Sequence, residues 1–112
     1  MIPAKHDIFI RQGKGFYLKM TTALDFRNIP LYAHIREEKG VGLPLITMGV
    51  NYSYDSVAGI STIILTIPKE NTRGILNSAY WSLKAEYPTT VETILEGMAT
   101  FIKEATLEWQ TS

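Results

Sequence analysis

The chain contains no cysteine. Disulfides, thiolate metal sites and cysteine nucleophiles are therefore excluded. Histidine is nearly missing too, with only His6 and His34, whereas a zinc site needs three or four convergent ligands. No apolar run approaches the ~20 residues of a membrane-spanning helix. Residues 1–7 lack the hydrophobic core of a signal peptide. These absences lead to the expectation of a soluble protein made in the cytoplasm, with no membrane partner and no metal. Charge of one sign is also missing, because eleven basic residues balance eleven acidic ones. Nucleic-acid binders usually carry a basic excess, so no nucleic-acid partner is expected. A near-neutral surface has little self-repulsion, which suits a protein that packs against neighbours.

Catalytic signatures are equally scarce. No G-x-S-x-G elbow is present, and no histidine is placed to activate a serine or threonine. Gly13-Lys14-Gly15 lacks the G-x-x-x-x-G-K-[ST] spacing of a phosphate loop, and its flanks alternate as strands, so a hairpin turn is the reading. Asp25, Glu37, Glu38 and Asp55 fall in turns and connections, where solvated acids are the default. Asn51-Tyr52-Ser53 matches a glycosylation sequon, which is idle without secretion. The expectation is a protein that is not an enzyme, with no catalytic, cofactor-binding or metal residues and no cofactor.

What the chain does have is two-residue periodicity. Its 112 residues, 46% apolar and 20% charged, suit one folded domain spanning 1–112. The organising stretch is residues 58–87. In its first half Ile63, Leu65 and Ile67 oppose Thr62, Ile64 and Thr66; in its second half Trp81, Leu83, Ala85 and Tyr87 oppose Tyr80, Ser82, Lys84 and Glu86. Side chains alternate across a strand, so each half gives one buried and one wetter face.

Elsewhere, residues 1–5 read as an arm. Residues 6–12 and 16–21 read as two strands of a hairpin about the glycine turn, and 24–30 as a connection. Leu31, Ala33 and Ile35 set a further strand against Tyr32, His34 and Arg36. Another follows at 45–54, with Met48, Val50, Tyr52 and Tyr54 on one side. One short helical turn is expected near 69–76, with Pro68 at a first helical position and Gly74 ending it. Residues 88–112 remain open. Val91, Ile94, Leu95, Met98, Phe101 and Ile102 make a helical stripe, yet Leu95, Gly97, Ala99 and Phe101 also alternate as a strand. Pattern alone puts helix slightly ahead.

Tyr17, Tyr32, Tyr52, Tyr54, Tyr80 and Trp109 partly occupy faces expected to point outward. Aromatic residues are enriched at protein–protein contacts. These six are the candidate protein-contact residues, the alternative being that both faces of the sheet are covered within the fold.

The order of segments adds a resemblance. His6 to Gly13 reads HDIFIRQG, residues 29–36 read IPLYAHIR, 58–68 read AGISTIILTIP, 79–85 read AYWSLKA and 94–97 read ILEG. This series resembles small β-sandwich tail and baseplate-associated structural proteins of tailed bacteriophages, including the N-terminal module of upper-baseplate proteins. Those carry an I-x-Q-G opening, a D-L-T-G-Y-x-A-x-x-x-I-R strand, A-G-x-I-x-L-x-I-P, an aromatic strand and L-L-E-G-x-V-x-V. The likeness spans roughly residues 7–106, and Asp25 to Pro30 departs from the Asp-Leu-Thr-Gly turn.

The resemblance implies that 94–106 is a strand and that 107–112 is a C-terminal tail. It implies an all-β fold, a single Ig-like antiparallel β-sandwich of about seven strands. It also implies a virion structural protein, made in the host cytoplasm, that acts as an adaptor or assembly module in the tail, baseplate or fibre region. Its partners would be other virion proteins and copies of itself in a homo-oligomer or symmetric array, met through sheet edges and an aromatic face. The alternatives are a capsid cement or decoration protein and a carbohydrate-binding sandwich.

Overall fold

Alternation is what the chain turns into structure. The computed structural model describes residues 4–37, 45–72 and 78–102. Among them are eight strands: β1 (Ala4–Lys5), β2 (Ile8–Arg11), β3 (Phe16–Thr22), β4 (Leu31–Arg36), β5 (Ile46–Asp55), β6 (Ile60–Ile67), β7 (Ser78–Glu86) and β8 (Val91–Ile102). A 3-10 turn, Lys69–Asn71, lies between β6 and β7 and falls in the window expected to be helical. Pro68 sits one position earlier than expected, capping that turn. Gly74 and the tail at 107–112 lie outside the described residues.

The strands form one curled sheet in the order β1-β8-β7-β4-β5-β6-β3, with β2 also beside β8. The curl happens in β5. Residues 46–48 pair with β4, whereas residues 49–55 pair with β6. Gly49 stands at this crossover, where a Cβ would meet the Thr66 hydroxyl oxygen at 2.6 Å. The sheet thus folds over itself into two layers, and the expected all-β sandwich is what the chain forms. Ile63, Leu65 and Ile67 of β6 and Trp81, Leu83 and Ala85 of β7 are all buried in the shared core. Each large side chain among them contributes about 1.5–3 kcal/mol by leaving water.

The structure corrects two expectations and settles a point that pattern alone left open. The segments around Gly13-Lys14-Gly15 are not a hairpin. Instead β2 pairs with β8 in one layer and β3 pairs with β6 in the other. The turn therefore carries the chain between layers, and a buried threonine holds it there. Gly13, at φ 82°, donates its N–H to Thr72 Oγ1 at 2.9 Å. The same hydroxyl lies 3.1 Å from the Lys14 carbonyl and 2.9 Å from that of Lys69, so the turn is tied to the 3-10 segment.

Second, the pairing is not wholly antiparallel: β1 and β2 both run parallel to β8. The arm expected at 1–5 accordingly contributes Ala4 and Lys5 as a strand, bringing the count to eight.

Third, β8 is a strand, as the resemblance implied and pattern alone did not. Its pairing with β7 on one side and with β1 and β2 on the other is the reason, and Gly97 makes room for it. The His6 backbone crosses so close above Gly97 that a Cβ would run into the His6 carbonyl oxygen. That approach needs an extended chain with no side chain at 97.

Candidate protein-contact surface

Neighbouring strands project paired residues to the same side. On the outer face of the first layer, Tyr32, His34 and Arg36 of β4 lie opposite Lys84, Ser82 and Tyr80 of β7. Tyr80 in turn lies opposite Met98 of β8. Phe9 of β2 is in register with Thr100, between Met98 and Ile102. Phe9 is 64% exposed, Met98 41%, Ile102 40% and Tyr80 38%, which makes an uncovered apolar cluster at one end of this face. Tyr32 marks its other end, is also exposed, and lies 3.3 Å through its hydroxyl from Glu86 Oε2.

The six aromatic candidates therefore separate. Tyr32 and Tyr80 share this face, while Tyr17 is exposed on the outer face of the other layer, opposite Thr66. Tyr52 and Tyr54 lie on the inner side of β5. The Tyr52 hydroxyl accepts the Phe26 N–H at 2.9 Å and meets Ser61 Oγ at 2.8 Å, while Ser61 donates to the Leu24 carbonyl at 2.6 Å. Tyr52 thus pins the β3–β4 connection. The Tyr54 ring lies under the Arg27 guanidinium, 4.2 Å from its centroid, and Arg27 is itself paired with Asp25 at 2.7 Å. Trp109 lies outside the described residues.

Phe9, Met98 and Ile102 were absent from the candidate set. The signal was present in the strand reading, because with Ile8 and Ile10, and with Gly97, Ala99 and Phe101, on the inner side, Phe9, Met98 and Ile102 must face outward.

The polar chemistry of this face is modest. A groove of about 250 Å³ runs over Gly97, lined by Lys5, Asp7, Arg36, Tyr80, Lys84 and Glu96. Lys5 pairs with Glu96 at 3.4 Å, and Asp7 Oδ1 accepts the Met98 N–H at 2.9 Å. His34, half-buried mid-face, is held below its ordinary 6.5 by burial first and by the charges of Arg36 and Lys84 second. His6 is instead at the β1–β2 junction, its ring edge-on to Trp81. Among the described residues, no three histidine or carboxylate side chains converge as metal ligands.

No protein-family model matches the chain, and no curated protein matches it. Among solved structures, the chain is similar to one described as the structure of the BTLA ectodomain. The identity is 12%, each chain is covered over 90% of its length, and the TM-score is 0.45.

Proposed function

We propose that this chain is a non-enzymatic structural protein of a tailed-bacteriophage virion, an adaptor in the tail, baseplate or fibre region. Its outer face of β2, β8, β7 and β4 packs against another virion protein. The observation that carries the reading is the cluster of Phe9, Tyr80, Met98 and Ile102, all exposed on one face. Apolar side chains gathered on a sheet surface are a mark of contact sites, and aromatic anchors supply most of the energy there. The resemblance of the strand series to tail and baseplate proteins names the class of partner. A capsid cement role would use the same face in the same way.

The test is association. Tagged protein should co-purify with tail or baseplate components from infected cells, and Tyr80→Ala with Phe9→Ala should abolish this while circular dichroism stays unchanged. Persistence of the association in the double variant would overturn the assignment of the face.

A second reading, carbohydrate binding, draws on the groove over Gly97, where Tyr80 lies beside the polar side chains of Asp7, Ser82 and Glu96. A monomer that binds glycans and loses them with Tyr80→Ala would favour it over assembly.

A further inference from the structure

The two layers do not close on each other where the curled sheet ends. Those ends are β1 and β2 in one layer and β3 in the other, and among the described residues no strand pairing joins them. A cleft of about 590 Å³ opens between the layers there, inside the range of about 300–1,000 Å³ common for small-molecule sites.

Its wall is aliphatic, and both layers supply it. Leu18 and Met20 come from β3, Ile94 and Leu95 from β8, and all four are only half-buried although packed against the core. Adjacent residues of a regular strand point to opposite faces, so Ile94 and Leu95 would not both reach one space. A bulge in β8 lets them. Leu95 lies opposite Leu83 and Thr93 opposite Lys84, which leaves Ile94 as the extra residue. The irregularity adds a second apolar residue to the wall, the kind of local re-aiming that bulges provide beside binding sites.

Charge narrows the occupant. The ionisable residues that line the cleft are Lys5, His6 and Lys19, all of them bases and all exposed, so they stand at its open side. Lys5 also pairs with Glu96 at 3.4 Å, but through a side chain that is 68% exposed, where an ion pair is weak. An aliphatic wall takes a flexible hydrocarbon, and a basic mouth favours an anionic head over a neutral or cationic one.

We infer that this cleft binds a long-chain fatty acid, its alkyl chain among Leu18, Met20, Ile94 and Leu95 and its carboxylate on the side of Lys5 and Lys19. The inference goes beyond the assembly reading and uses a different surface from the Phe9–Tyr80 face, so either can fail alone.

The experiment is a methyl NMR titration of the full chain with laurate, and with 1-dodecanol as the uncharged probe of equal chain length. Laurate is expected to shift the methyls of Leu18, Met20, Ile63, Ile94 and Leu95 and to leave those of Met98 and Ile102 on the outer face unmoved. Lys5→Gln with Lys19→Gln, two exposed substitutions outside the core, should weaken laurate about tenfold and leave dodecanol unchanged. Met20→Trp, which fills the cleft, should abolish binding of both probes. Cleft methyls that do not respond to laurate would overturn the inference, as would equal shifts at Met98 and Ile102. Undiminished laurate affinity in the lysine variant would overturn the anionic head. Intermolecular cross-relaxation at the cleft methyls in a mixed-label, ligand-free sample would show a second copy there, and would overturn it too.

Discussion

The indole N–H of Trp81 donates a 2.6 Å hydrogen bond to the main-chain carbonyl of His6, 75 positions earlier in the chain. This bond sits where β1 gives way to β2. The His6 N–H donates to the Glu96 carbonyl at 2.9 Å, and one residue later Asp7 Oδ1 accepts the Met98 N–H. The N-terminal strands are thus clamped onto β8 at a single crossing, and Phe9 is carried onto the outer face two residues beyond it. Phenylalanine at 81 would leave the His6 carbonyl without its donor and shrink a buried side chain. Trp81→Phe is expected to cost about 2–4 kcal/mol in urea denaturation.

Gly97 is the other half of that crossing. An added methyl meets the His6 backbone, which has no flexible end to move aside. Gly97→Ala is expected to destabilise by about 1–3 kcal/mol. Hydrogen exchange should show the effect as lost protection in residues 8–11, with residues 16–22 of the other layer unaffected. Uniform loss of protection in both layers would contradict this local account.

Tyr52 makes a comparable join in the second layer. Removing its hydroxyl leaves the Phe26 N–H without that acceptor, while Ser61 keeps its bond to the Leu24 carbonyl. Tyr52→Phe should cost about 1–3 kcal/mol. A null result in thermal melts would show that the β3–β4 connection is held by Phe26 burial alone.

These joins also show where sequence reading reached its limit. Which side of β6 and β7 is buried was legible, because Ile63, Leu65, Ile67, Trp81 and Leu83 obey a local period of two. Which strand pairs with which was not. Gly13-Lys14-Gly15 suits a hairpin turn and a crossing between layers equally well, and the deciding contact, Thr72, lies 59 residues away. The helix-or-strand ambiguity of 88–102 had the same origin, since pairing with β7 on one side and with β1 and β2 on the other decides it. For the contact surface, Tyr32 and Tyr80 were legible as outward. Tyr52 and Tyr54 were not separable from them without knowing that β5 turns its aromatic side into the fold.

His34 gives the outer face a pH dependence. Its folded value is held below 6.5, chiefly by burial and then by Arg36 and Lys84, so the unfolded chain takes up the proton first as pH falls. The stability associated with neutral His34 is complete above 6.5 and is lost as pH drops from there towards the folded value. Melting temperature should therefore fall between pH 7 and about pH 5 more steeply in the parent than in His34→Gln. Identical slopes would remove His34 from the account.

The central claim is that the Phe9–Tyr80–Met98 face is a contact surface within a virion. Cryo-electron microscopy of an assembled tail-bearing particle tests it most directly. The account predicts density for this chain with Phe9, Tyr80 and Met98 covered by a different protein. A chain built into the particle with that face open to solvent, or particles complete without the chain, would contradict it.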